Sequence, residues 1–260
     1  MQLTVESKRV FAGTGGRDFN PSLPTVVFLH GAGMDHSVWA LLARAFAHHG
    51  FAVLAPDLPG HGRSAGPALT SIAALADWTA ALIDAAGITA AGIIGHSMGS
   101  LIALETAARH PAKVTALSLI ATAAPMLVSD DLLNAAKADD HAAVDMISIW
   151  GEGHRATLGG SEVPGLWMLG GSERLLEHAK PGVIFADLSA CNAYQDALAA
   201  AAMIAVPSHV IQGSRDLMTP LKSGRAIAVA IPGCRLTVIE GAGHMLISER
   251  PNEVLKALRG

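Results

Sequence analysis

Charge is scarce in this chain: Asp, Glu, Lys and Arg together make up 15% of its 260 residues, and the net charge is −4. Its lysines and arginines form no cluster, so it lacks the electrostatic footprint that nucleic acid requires. Apolar residues reach 51%, which excludes the disordered class, where too little burial is available to offset chain entropy. No apolar run attains the length that crosses a bilayer. Neither nucleic acid nor membrane is therefore an expected partner. The stretch from Met1 to Val10 alternates polar and apolar residues without the apolar core of a signal peptide, so residence in the cytoplasm is expected. Cysteine is sparse too. Cys191 and Cys234 stand far apart in no metal-ligand spacing and read as buried thiols of a reducing compartment. No internal repeat is visible, and the length suits one large domain, or a domain carrying an insertion, with a substantial core.

Glycine, by contrast, is plentiful, and the most informative stretch is built on it. Ile93-Ile94-Gly95-His96-Ser97-Met98-Gly99-Ser100 reads as the end of an apolar strand, a tight turn and the start of a helix. Gly-x-Ser-x-Gly in that setting is a nucleophile elbow, which lifts the serine hydroxyl clear of a sheet. Gly95 and Gly99 are expected where a Cβ would collide with a neighbouring strand or helix. The helix that follows aims free N–H groups at the space above Ser97, which suits negative charge developing on an oxygen. With 27 glycines in the chain, the pattern can also arise by accident, so the rest of the chain must supply partners.

Leu3 to Phe11 reads as a two-stranded entry into a sheet, and Gly13 to Gly16 as a turn, since no helix follows. Val26 to Leu29 and Phe51 to Ala55 are continuous apolar runs, typical of strands buried on both faces. Helices are expected over about 38–49, 71–86 with Ser71 or Thr70 as cap, and 98–110 closed by Pro111. Val114 to Ala121 is the next strand. This alternation predicts an α/β fold: a mostly parallel central sheet covered by helices on both faces. The alternation stops after Ala124 and resumes at His209 to Gln212, followed by a helix over 220–230, a strand over 236–239 and a last helix over 252–259. The division predicted is a core of 1–124 and 207–260, with a helical lid or cap insertion over 125–206.

A serine hydroxyl needs a base, and the base needs an orienting carboxylate. Of the 12 histidines, His244 lies in a loop just past the last strand, at the sheet edge that carries Ser97. Asp216 follows the preceding strand in Gly213-Ser214-Arg215-Asp216, so the order is Ser, Asp, His. Asp216 also suits a plain capping role ahead of Thr219-Pro220.

In these residues the chain resembles the α/β-hydrolase superfamily. His30-Gly31-Ala32-Gly33, Asp57 to Ser64, the Ser97 elbow, Gly213 to Pro220 and Gly241 to Met245 match its motifs in order. The resemblance implies Ser97 as nucleophile, Asp216 as acid and His244 as base, with the backbone N–H groups of Ala32 and Met98 as oxyanion hole. His30, Gly31, Gly95 and Gly99 are read as supporting residues, His96 as scaffold, and Asp57 and His61 as stabilisers of the glycine-rich turn. The strand before the insertion ends without a carboxylate, which favours Asp216 over that alternative place.

Gly31-x-Gly33 after a strand, with Asp57 ending the next, outlines a dinucleotide fingerprint, but His36 holds the third glycine position. No cofactor is expected. His141, His154 and His178 are scattered without ligand spacing, so no metal is expected either. The insertion is predicted to cover Ser97; some of its apolar residues (Met126, Met146, Trp150, Trp167 and Tyr194 among them) must form its own core, and the surplus of methionines and aromatics suggests an apolar pocket for acyl or alcohol groups. The glycines between Gly151 and Gly171 would make a mobile gate. The expected activity is serine hydrolysis of a small ester, lactone or thioester through an acyl-enzyme. The alternatives are carbon–carbon bond hydrolysis on the same triad, and a slow-turnover ligand receptor. Substrate identity, and whether the protein is a monomer or a homodimer, are left open.

Overall fold

The computed structural model describes residues 1–260, the side chains of Arg155 and Thr157 excepted. An antiparallel pair, β1 (Gln2–Val5) and β2 (Lys8–Gly13), opens the chain. There follow β3 (Thr25–Leu29), α1 (Ala40–His48), β4 (Ala52–Pro56), α2 (Ile72–Ala85), β5 (Ala91–His96), α3 (Met98–Arg109) and β6 (Val114–Ile120). The segment between sheet strands carries α4 (Asp130–Lys137), α5 (Ala142–Gly151), α6 (His154–Thr157), α7 (Met168–Glu177), α8 (Val183–Ala193) and α9 (Ala197–Ala202). The sheet resumes with β7 (Ser208–Gly213), α10 (Leu221–Ala230) and β8 (Arg235–Ile239), then α11 (Leu246–Glu249) and α12 (Pro251–Arg259).

The strands form one sheet in the order β1-β2-β4-β3-β5-β6-β7-β8. From β4 to β8 every pairing is parallel, and β2 joins β4 antiparallel. This is the α/β class expected from the alternation of apolar runs and helices. The period-2 pleat sends neighbouring residues to opposite faces. Val27, Leu29, Ile93, Leu117 and Val210 pack with α2, α3 and α10. Val26, Phe28, Ile94, Ile120 and Ile211 pack on the other face with α1 and α12. Buried on both sides, these strands have no polar face to show, which is why their sequence does not alternate.

The chain leaves β3 toward β4 on one side, then returns to place β5 on β3's other side. The loops after β3 and β5 therefore diverge and open a crevice at the sheet's C-terminal edge, the usual ligand position in open α/β sheets. Most expected boundaries agree to within a residue or two. Ser71 caps α2, its Oγ accepting the Ala74 N–H at 3.2 Å. The helix expected from residue 38 differs: Asp35 caps a 3-10 turn over His36–Trp39, and α-helical geometry begins only at Ala40. Cys191 is buried as expected, whereas Cys234 is only half-buried; both are free thiols. Among the described residues no helix is long and apolar enough to cross a membrane.

Candidate active site

Ser97 joins β5 to α3 with φ 53° and ψ −122°, a conformation that an L-residue adopts at a cost of roughly 1–3 kcal/mol. Its N–H donates to the Ile120 carbonyl at 3.0 Å, and its own carbonyl accepts from the Ser100 N–H and Oγ at 2.8 and 2.6 Å. A Cβ on Gly95 would overlap the Gly99 carbonyl, and one on Gly99 would overlap the carbonyl of Leu29. Both glycines thus allow α3 to close onto β3 and β5. Ser97 is half-exposed between buried neighbours, facing a cavity of about 360 Å³.

His244 faces the same cavity. Its Nδ1 lies 3.0 Å from Asp216 Oδ2, and its Nε2 makes no hydrogen bond among the described residues. The other oxygen of Asp216 accepts the N–H groups of Met218 and Thr219 at 2.9 and 2.7 Å. The carboxylate thus closes a turn and holds the histidine at once; α10 begins at Leu221 with no side-chain cap. Thr219 was not singled out from the sequence. Its hydroxyl donates to Asp216 Oδ2 at 2.5 Å and stands 3.1 Å from His244 Nδ1. Burial alone would raise the Asp216 carboxyl, but His244 and the hydrogen bonds from Thr219 outweigh it and hold it below the usual range.

His30 and His96 brace the site from beneath. His30 Nδ1–H donates to the Gly31 carbonyl at 2.9 Å, and its Nε2 accepts the Leu58 N–H at 3.1 Å. That pattern requires a neutral ring, and burial lowers its pKa to about 4. His96 Nε2–H donates to the His244 carbonyl at 2.9 Å, with the two rings 5.0 Å apart. Burial and the neighbouring His244 lower His96 to about 3. Ala32 lines the cavity beside Ser97, and a Cβ on Gly31 would lie 3.2 Å from Ser97 Cβ. The loop after β3 and the N-terminus of α3, with Met98 at its head, therefore adjoin at the crevice.

Asp57 accepts the His36 N–H, His36 Nδ1–H and Arg63 N–H, each at 2.7 to 2.8 Å. It pins the glycine-rich turn as expected, and those donors already occupy the carboxylate where Asp35, His36 and Asp57 converge. His61 differs from expectation. Only its Nδ1 serves the turn, at 3.1 Å from the Pro59 carbonyl; its Nε2 reaches Asp187 on α8 at 2.7 Å.

The segment between β6 and β7 supplies most of the cavity wall: Met126, Leu127, Val128, Leu132, Ile147, Trp150, Leu188 and Cys191. Leu217 and Met218 close the far side. Among the described lining residues none carries a charge. Burial pushes the Cys191 thiol well up, so it serves as an apolar wall group. Leu127 and Leu217 are 68% and 71% exposed and mark the mouth. Of the insertion's methionines and aromatics, Met126 and Trp150 line this cavity, whereas Trp167 lies outside it with 69% exposure and Tyr194 donates to Glu105 at 2.5 Å.

The model sequence of the alpha/beta hydrolase fold family matches residues 24–251 of the chain. The chain belongs to that family. It is similar to the pimeloyl-(acyl-carrier protein) methyl ester esterase of Chromobacterium violaceum, at 33% identity over 90% of this chain and 92% of the relative. It also resembles a putative carbamate hydrolase, RutD, of Klebsiella pneumoniae, at 29% identity over 86% and 85% of the two chains. Among solved structures, the enol-lactonase of Burkholderia xenovorans superposes with a TM-score of 0.86 and 26% identity, covering 100% of this chain and 98% of that one. As an α/β-hydrolase whose relatives carry esterase and hydrolase names, the protein is a hydrolase.

Proposed function

We propose that this α/β-hydrolase cleaves small neutral esters, lactones or thioesters with an apolar acyl group, through Ser97, His244 and Asp216. The observation that carries the proposal is one mainly apolar cavity that both Ser97 and His244 line, with Asp216 bonded to Nδ1 of His244. His244 Nε2 takes the hydroxyl proton as Ser97 attacks the carbonyl carbon, then returns it to the leaving group. Asp216 fixes the ring's tautomer and stabilises the imidazolium as it forms. The N–H groups of Ala32 and Met98 receive the oxyanion, and water releases the acyl group by the same proton path. Residues 125–206 act as a cap that shapes the acyl site. With no charged wall residue, a free carboxylate on the acyl chain would be buried uncompensated, so neutral substrates are favoured.

The test is fluorophosphonate labelling combined with a p-nitrophenyl ester panel from acetate to decanoate. Wild type is expected to label at Ser97 and to turn over butyrate to octanoate faster than acetate, with a succinate half-ester poorest. Ser97→Ala is expected to lose labelling and to reduce turnover by at least about 10³-fold. Full turnover by Ser97→Ala would overturn the reading. Labelling without turnover across the panel would favour the receptor alternative.

A further inference from the structure

A buried ion pair outside the Ser97, His244 and Asp216 set ties the cap to the loop assigned to the oxyanion. Asp187 lies on α8, whose other residues near it, Phe185, Ala186 and Leu188, are apolar. It is 1% exposed, and its Oδ2 accepts two donors: the Gly33 N–H at 2.8 Å and His61 Nε2–H at 2.7 Å. Gly33 follows Ala32 and sits at φ +69°, where a Cβ would lie 2.9 Å from Ile184 and 3.1 Å from Leu176, both cap side chains.

Two peptide planes meet at the Ala32 Cα, and each is held. The plane before it is fixed at the Gly31 carbonyl, which accepts His30 Nδ1–H and, at 3.2 Å, the Met34 N–H. The plane after it is fixed at the Gly33 N–H by Asp187. The Ala32 N–H lies in the first of these planes; anchoring the second at Gly33 stops the loop from swinging about the Ala32 Cα, so the N–H keeps its place before substrate arrives. A donor aimed in advance is worth most where charge develops.

A bare carboxylate beside an oxyanion would oppose it, so the charge of Asp187 needs a partner. His61 provides one: Nδ1 faces the Pro59 carbonyl and Nε2 faces Asp187, both acceptors, so each nitrogen carries a proton and the ring is cationic. Burial would lower the histidine, yet the Asp187 charge and hydrogen bond hold it above the ordinary range.

We propose that Asp187, paired with His61, is a positioning residue for the oxyanion hole, holding the Gly33 N–H so that the Ala32 N–H is aimed at the reacting carbonyl. The proposal rests on the assignment of Ala32 given above, and the experiment separates the two. Asp187→Ala and Asp187→Asn are assayed with p-nitrophenyl butyrate and with phenylethylboronic acid, which forms a tetrahedral adduct on the serine. Asp187→Ala is expected to lose about 10–100-fold in kcat with KM within about twofold. Boronate affinity should weaken in parallel with kcat/KM. Asp187→Asn keeps an acceptor for Gly33 and should fall between Asp187→Ala and wild type.

A folded Asp187→Ala with kcat within twofold of wild type, or with kcat lowered and boronate affinity unchanged, would overturn the proposal. If Asp187→Ala does not fold, Asp187→Asn decides: kcat and boronate affinity falling together support it, and either one unchanged sinks it. Ser97→Ala inactive beside a fully active Asp187→Ala refutes the positioning role alone. Ser97→Ala active refutes the reading of the site itself.

Discussion

Glu152, at the C-terminal end of α5, carries no side-chain partner on Oε2 among the described residues, although its Oε1 accepts the Ser172 hydroxyl at 2.8 Å. Burial, reinforced by the nearby Glu249, raises its carboxyl to about 7. The folded state therefore favours the protonated acid. For an acid whose folded pKa exceeds its unfolded one, stability is fully present below the unfolded value of 4.5 and is lost as pH rises through about 7. Glu152→Gln, a neutral isostere, should be more stable than wild type at pH 8 by on the order of 3 kcal/mol, and nearly equal to it at pH 4. Guanidinium unfolding at both pH values measures the difference; a gap independent of pH would contradict it. Neither Glu152, Thr219 nor Asp187 was legible as a site residue. Asp216 and His244 were, because both sit in short loops directly after strands, at an edge that the strand pattern locates. Asp187 sits within a helix, where its only sequence signal is a single charge among apolar residues.

Elements divide into those that chain-local physics settles and those that contacts settle. α2 begins where Ser71 caps it, and Ser71→Ala should cost about 1 kcal/mol by thermal unfolding without affecting activity. The glycine stretch expected to be a gate is fastened at its start. Met245 N–H donates to the Gly151 carbonyl at 2.9 Å, and Glu249 accepts the N–H groups of Gly153 and, at 3.1 Å, Gly243. A Cβ on Gly153 would lie 2.5 Å from Glu249 Oε2 and 2.9 Å from the Gly243 nitrogen. Gly153→Ala should push the His244 loop aside; with His244 as the proposed base, turnover should fall at least about tenfold, since an ångström of misplacement is costly. Its far-UV spectrum should stay that of wild type; normal turnover would show that the loop tolerates the shift. Glycine composition alone cannot separate a mobile stretch from one packed too tightly for a side chain.

At the scale of the whole molecule, buried histidines on one side oppose Glu152 on the other. The folded values of His30 and His96, about 4 and about 3, lie below the ordinary histidine value of 6.5. Each thus contributes stability above pH 6.5 that is lost as pH falls through its folded value. The stability advantage of wild type over His96→Asn should shrink by several kcal/mol between pH 7 and pH 3. Urea titrations of both proteins across that range would show it, and a constant difference would refute it. Glu152, at the end of α5, enters this balance through its neighbour Glu249, on α11.

Sequence by itself determined the sheet class, the strand and helix sequence, and the elbow with its two glycines. It also ordered Ser97, Asp216 and His244 along one edge. These follow from local rules: apolar runs make buried strands, glycines permit close turns, and loops after parallel strands share an edge. Tertiary structure alone decided what the helical segment between β6 and β7 touches. Asp187 meets Gly33 across 154 residues of chain, and Gly153 meets Gly243 from the far end of another long loop of chain. No periodicity encodes such contacts, because they depend on how a helical segment with several packing solutions settles against loops already placed by the sheet. The cavity beside Ser97 was decided there too, by side chains between β6 and β7 whose sequence reads as core until the fold turns them inward.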